Sequence, residues 1–157
     1  MSAVQPLLMR NIEPADHDAL AALWIRAWML TLPQIRFDER ELFIRERFHD
    51  YAQPPRHARV ACNEAGQPLG FCLIDTNLNE LEQIVVAPEF WGKGTAEAML
   101  DDARCLSPDR LILTVNRDNP RAIAFYRRQG FVETGESVSP RSGLPLLHME
   151  WRAALTP

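Results

Sequence analysis

The stretch Ile84-Val85-Val86-Ala87-Pro88-Glu89-Phe90-Trp91-Gly92-Lys93-Gly94-Thr95-Ala96 carries the clearest chemistry in the chain. An apolar strand segment stops at a proline, two glycines bracket a lysine, and the helix formers Ala96-Glu97-Ala98-Met99-Leu100 follow at once. A helix start leaves its first backbone N–H groups unpaired, and the helix dipole favours negative charge at that end. Glycine carries no Cβ, so an anion can come right up to the backbone. Strand, glycine turn and helix start together predict a cradle for phosphate.

Two familiar phosphate motifs do not fit it. A nucleoside-triphosphate loop needs Gly-x-x-x-x-Gly-Lys followed by Ser or Thr, but Ala87 stands at its first glycine and Gly94 at its hydroxyl position. A dinucleotide fingerprint needs Gly-x-Gly-x-x-Gly, and Glu97 occupies the third glycine. A second constellation lies about twenty-five residues on. Leu111 to Val115 reads as a short strand, Asn119 as an N-cap and Pro120 as the first helical residue. That helix, residues 120–129, stops at Gly130, and residues 131–134 resume a strand.

The two segments together resemble the GNAT N-acetyltransferase superfamily. Gly94 and Ala96 match the last defined positions of its pyrophosphate loop, Arg/Gln-x-x-Gly-x-Gly/Ala. Asn119, Ala122, Phe125-Tyr126 and Gly130-Phe131 match its second motif, Asn-x-x-Ala-x-x-Phe-Tyr-x-x-x-Gly-Phe, at the usual separation. Trp91 departs from the pattern, since Arg or Gln is usual there, and it leaves one side-chain phosphate contact unsupplied. The resemblance spans roughly residues 7–151.

The resemblance implies acetyl-CoA as co-substrate, no metal, and direct transfer to a primary amine of a small molecule or peptide through a ternary complex. A non-catalytic acyl-CoA-binding module that keeps the cradle is the rival class. Ile84, Val85, Val86, Trp91, Gly92, Lys93, Gly94, Thr95, Ala96, Asn119 and Tyr126 become the cofactor-binding candidates, with backbone groups of Val85 or Val86 meeting the pantetheine arm. Tyr126 is the expected general acid, because a phenol near pKa 10 stays protonated at neutral pH and can donate as charge builds on sulfur. Glu80 and Glu82 lie two apart, hence on one strand face, and either could take the amine proton; a solvated strand end explains them equally well. His148 is a weaker candidate base. Trp28 and Leu32 match the segment that lines the acceptor cleft in relatives. Nothing between Trp28 and Asp38 identifies the acceptor.

The elements that must position these groups follow from periodicity. Residues 7–11 read as a first strand, and Pro14 and Asp16 introduce a helix with Leu20, Leu23, Trp24 and Ala27 on one face. Asp38 is expected to cap a second helix, residues 39 to about 51, with Leu42, Phe43 and Phe48 as its apolar members. Residues 59–62 and 69–76 form a hairpin about Glu64-Ala65-Gly66, residues 81–86 a central strand, and residues 144–151 a last strand. The implied α/β (α+β) fold is one GNAT domain over residues 1–157: a mixed, mostly antiparallel sheet of six to seven strands with about four helices on both faces.

Composition bounds what remains. The chain has 157 residues, with 17 basic against 21 acidic side chains and a net charge of −4, which weighs against nucleic acid as a partner. No apolar run approaches a signal or membrane-spanning length, so no membrane partner is expected and the cytoplasm is the expected compartment. A homodimer is compatible with this reading. Cys62, Cys72 and Cys105 lack metal-ligand spacing and read as reduced core thiols.

Overall fold

A computed structural model describes residues 6–154. Its strands are β1 (Leu8–Asn11), β2 (Arg56–Cys62), β3 (Pro68–Asp75), β4 (Glu80–Val86), β5 (Arg110–Asn116), β6 (Val132–Val138) and β7 (Pro145–Arg152). Its helices are α1 (His17–Thr31), α2 (Glu41–Asp50), α3 (Thr95–Leu106) and α4 (Pro120–Arg128). The strands form one seven-stranded sheet in the order β1-β2-β3-β4-β5-β7-β6. Every neighbouring pair is antiparallel except β4 and β5, which run parallel. Among the described residues no helix is long and apolar enough to cross a membrane.

Strand alternation divides the core between the two faces of the sheet. Phe71 and Leu73 of β3 pack with Leu20, Trp24, Ile44 and Phe48 of α1 and α2. Cys72 and Ile74, one residue out of phase, pack with Met99, Leu100, Ile123 and Tyr126 of α3 and α4. A Cβ on Gly70 would lie 2.5 Å from the Val85 carbonyl oxygen and 3.2 Å from Met99, so only glycine lets β3 pass there. The bidentate pair from Arg59 to Asp102, at 2.9 and 3.1 Å, ties β2 to α3, the helix that follows the glycine turn.

Two expectations change in α2, and one among the cysteines. Asp38 caps nothing; it lies in a one-turn 3-10 segment, Phe37–Arg40, and holds Arg36 at 2.7 Å instead. The helix turns Ile44 and Phe48, four apart, into the core, while Leu42 is 69% exposed. Phe43 is half-buried and leans on Trp24. The tighter 3-10 winding ahead of α2 rotates the helix relative to a pattern started at residue 39, which moves Leu42 off the apolar face. Cys62 and Cys72 are buried as expected, but Cys105 is exposed on the outer side of α3.

Candidate active site

The phosphate cradle is built as local chemistry requires. Gly92 and Gly94 adopt φ of 75° and 85°, a region costly for any residue with a Cβ, and Gly94 occupies the N-cap of α3. The first helical bond runs from Ala98 N–H to the Gly94 carbonyl at 3.1 Å, and the N–H groups of Thr95, Ala96 and Glu97 precede that ladder. A Cβ on either glycine would meet nothing within 4 Å, so the space in front of the loop is open. Lys93 points away, its ammonium 5.8 Å from the Phe90 ring, and does not line the cleft.

Trp91 has a structural task and a partner that sequence does not reveal. Its indole N–H donates to the Val86 carbonyl at 2.8 Å, which pins the loop to the end of β4. The Arg121 guanidinium from α4 lies 3.6 Å from the Trp91 ring centre, stacked on it and lining the same cleft. A cation thus stands beside the cradle although position 91 has none. The only sequence signal is the tryptophan itself, at the place where the resembled loop pattern has Arg or Gln.

Beside the loop, β4 and β5 pair at Glu80 and Ile112 and then diverge, leaving a wedge. The Ala87 N–H bonds to the Leu69 carbonyl at 2.8 Å, so the backbone groups of residue 87 face β3. Alternation then turns Val85 toward β3 as well and leaves Ile84 and Val86 on the open side. Of the two valines named as pantetheine contacts, the backbone of Val85 is committed to β3. The Val86 carbonyl is taken by Trp91, which leaves its N–H and both groups of Ile84 facing the wedge. Asn119 caps α4, its side-chain oxygen accepting from the Ala122 N–H at 3.3 Å, and it also lines the cleft. Tyr126 is buried between Phe125 and Phe131, and burial pushes its phenol well above the usual tyrosine value. Its hydroxyl makes no hydrogen bond to another described residue, and the side chain borders the cleft.

The wedge opens into a cleft of about 590 Å³ whose far end is aromatic. Trp28 stacks on Phe37 with ring centres 5.4 Å apart, and Trp24 meets Phe37 edge-on at 5.4 Å. Leu32 closes the floor and is 2% exposed. Glu80 and Glu82 both border this end, which brings the two predicted carboxylates together. A β-bulge separates them, because Leu73 pairs with Gln83 and Ile74 with Leu81, and Glu82 is the extra residue. Bulging aims Glu82 at α2, where Arg47 Nε approaches to 3.4 Å. Burial holds the Glu82 carboxyl above the ordinary glutamate value, partly offset by Arg47 and reinforced by Glu80. Its second oxygen, Oε2, is buried without a hydrogen-bond partner. His148 lies elsewhere, 2.7 Å from the Ser137 hydroxyl on an exposed part of β6 and β7, and does not border the cleft. Phe37, Phe43, Arg47 and Arg141 also stand at this site. In the sequence Phe43 is legible only as an apolar helix residue, and no motif marks any of the four for the cleft, since they come from the 3-10 turn, α2 and the turn between β6 and β7.

Comparison with known proteins fits this geometry. Residues 18–131 match the model of the acetyltransferase (GNAT) family. The chain is 32% identical over 151 residues to the peptidyl-lysine N-acetyltransferase YjaB of Escherichia coli, covering 93% of this chain and 97% of that one. The solution structure of apo YjaB superposes with a TM-score of 0.80 at 27% identity, over 95% of this chain and 99% of the other. A spermidine N-acetyltransferase from Vibrio cholerae, solved with CoA and spermine, superposes with a TM-score of 0.70 at 25% identity, over 93% and 95% of the two chains.

Proposed function

This chain belongs to the acetyltransferase (GNAT) family, and from that premise we propose that it moves the acetyl group of acetyl-CoA to a primary amine held at the aromatic end of its cleft. The observation that carries the proposal is one continuous cleft bordered by the helix-start cradle, the open edge of β4, Tyr126 and Glu82. The two relatives named above act on a peptidyl lysine and on spermidine, and both acceptors present a primary amine.

Acetyl-CoA supplies an acyl group activated as a thioester. The N–H groups at the start of α3 receive its pyrophosphate, with Arg121 as the side-chain cation. Ile84 and the Val86 N–H hold the pantetheine amides, which sets the carbonyl carbon within reach of the amine. A primary amine is mostly protonated at neutral pH, so a proton must leave before nitrogen can attack. Glu82 takes it: the carboxyl is buried, its proton affinity is raised, and Oε2 is uncommitted. Glu80 adds negative charge nearby and acts as an electrostatic neighbour. As the C–N bond forms and the C–S bond breaks, the Tyr126 hydroxyl delivers a proton to sulfur, and the second proton leaving the acylated nitrogen restores the phenol, which burial keeps protonated. The cytoplasm is the compartment this reading implies, since acetyl-CoA is available there.

CoA thiol release measured against a panel of primary amines tests the reading. Release should depend on the acceptor, and Glu82→Gln should lower kcat/KM by about 10²-fold or more. Wild-type kcat/KM should fall on the acid side at a pH above the ordinary glutamate range, since the base must be ionised. Thiol release no faster with any amine than without one would favour the acyl-CoA-binding module instead.

A further inference from the structure

The acceptor end of the cleft is rich in hydrogen-bond donors and poor in acceptors. Three guanidinium groups border it, from Arg40, Arg47 and Arg141, against the two carboxylates Glu80 and Glu82. Arg47 is shared between Glu82 at 3.4 Å and Asp50 at 3.6 Å. Arg40 lies 5.3 Å from the Phe37 ring centre and Arg141 lies 3.8 Å from that of Phe43, and neither forms an ion pair among the described residues. One more donor, Trp28 Nε1, is buried without a hydrogen-bond partner, and Arg47 Nε, though paired in charge with Glu82 at 3.4 Å, makes no hydrogen bond; Glu82 Oε2 is the one buried acceptor at this end in that condition among the described residues. Buried polar groups cost free energy until paired, so the ligand that completes this site brings one amine and several acceptor oxygens.

Arg141 is presented by a closed turn rather than a loose loop. Ser139 Oγ accepts from the N–H groups of Arg141 and Ser142, both at 3.3 Å. Backbone bonds from Ser139 N–H to Leu144 and from Gly143 N–H to Ser139, both 2.9 Å, close the segment between β6 and β7. The guanidinium is therefore set against Phe43 before any ligand arrives, and its field already reaches Glu82, whose proton affinity it lowers. An arginine fork held on an aromatic face is suited to bind a carboxylate through two parallel bonds.

We propose that the acceptor is an amino carboxylate with a large apolar body, in the class of aromatic or branched amino acids. Its amine meets Glu82, its body lies along Trp28, Phe37 and Phe43, and its carboxylate is held by Arg141 with Arg40 at the rim. A polyamine offers only donors and cations to three guanidinium groups, and a lysine side chain in a peptide brings no carboxylate to them. The inference rests on the acetyl-transfer reading of this cleft.

Matched pairs of acceptors separate it from that reading. Acetyl transfer is measured with L-phenylalanine against phenethylamine, L-leucine against isopentylamine and L-tryptophan against tryptamine, alongside spermidine and a lysine-containing peptide. In each pair the acid should exceed the decarboxylated amine by at least tenfold in kcat/KM, the size of one charge-assisted contact. Arg141→Ala should collapse that ratio toward one, and Arg141→Lys should retain part of it. Binding of the same acids and amines to the CoA-loaded protein, followed by calorimetry, gives a readout free of turnover. Transfer to amines without preference for the acids, or preference for spermidine or the peptide, overturns the inference and leaves the transfer reading intact. Acid-selective binding without transfer to any amine does the reverse. No binding and no transfer with any acid of the panel overturns the inference as well.

Discussion

The phosphate end of the cleft comes from one continuous stretch, residues 84–96, supported by the first turn of α4, and its donors are mostly backbone N–H groups. The acceptor end draws on α1, the 3-10 turn before α2, α2 itself, the bulge of β4 and the turn between β6 and β7, and its donors and acceptors are side chains. Backbone groups at a helix start are placed by the helix, so the turn rests mainly on two glycine conformations, with Trp91 pinning it to β4 and Arg121 stacked beside it. Side chains converging from five segments depend on the packing of every element that carries them. On the proposed reading, the first end can therefore persist as a readable motif while the second, where the acceptor would sit, is free to vary.

The largest effect expected is at the junction of the two ends. Tyr126→Phe keeps the ring between Phe125 and Phe131 and deletes the proton donor, so kcat should fall by about 10²–10⁴ while CoA affinity stays close to wild type. The loss should shrink with an acyl donor whose leaving group is a weaker base than CoA thiolate. Equal loss with both donors would make Tyr126 a positioning group and blur the division.

Next in size is Gly94→Val, which breaks the cradle alone. At φ of 85° a β-branched residue is strained, and its side chain would stand in the open space before the loop. CoA affinity measured by calorimetry should drop well over tenfold, more than about 1.4 kcal/mol, in a protein that still folds. Unchanged affinity in the folded variant would remove the loop from the site.

Arg121→Ala probes the one place where the cradle borrows a side chain from another segment. Loss of a single half-exposed cationic contact should weaken CoA binding roughly fivefold, about 1 kcal/mol. Trp91→Arg, although it restores the residue usual in relatives, should also weaken binding, because it removes the indole bond to Val86 and the platform beneath Arg121. Stronger CoA binding in Trp91→Arg would show that the cradle is as local as its sequence suggests.

The smallest effect concerns stability. Because Glu82 binds its proton more tightly in the folded chain than in the unfolded one, its contribution is full below the unfolded pKa and is lost as pH rises through the folded value. Glu82→Gln should raise Tm modestly at neutral pH, with the gain fading below the ordinary glutamate range. A lower Tm at neutral pH would mean that the Arg47 pair outweighs the burial of the charge.

Local chemistry makes much of this protein legible in its residues alone. Turn glycines, the Asn119 cap with Pro120, and period-two and helical apolar patterns set the order of strands and helices, because each depends on a few adjacent residues. The same locality marks the glycine turn at the start of α3 and the tyrosine of α4, both of which border the cleft. Where pattern and fold part, a competing local force is at work: the 3-10 turn before α2 turns Leu42 outward, and the β4 bulge places Glu82 against Arg47. Three things are decided only by tertiary packing: the stacking of Arg121 on Trp91, the commitment of the Val85 backbone to β3, and the aromatic and arginine-lined acceptor end. Each joins residues far apart in the chain through contacts that leave no periodicity and no spacing in sequence, and that exist only once both faces of the sheet are covered.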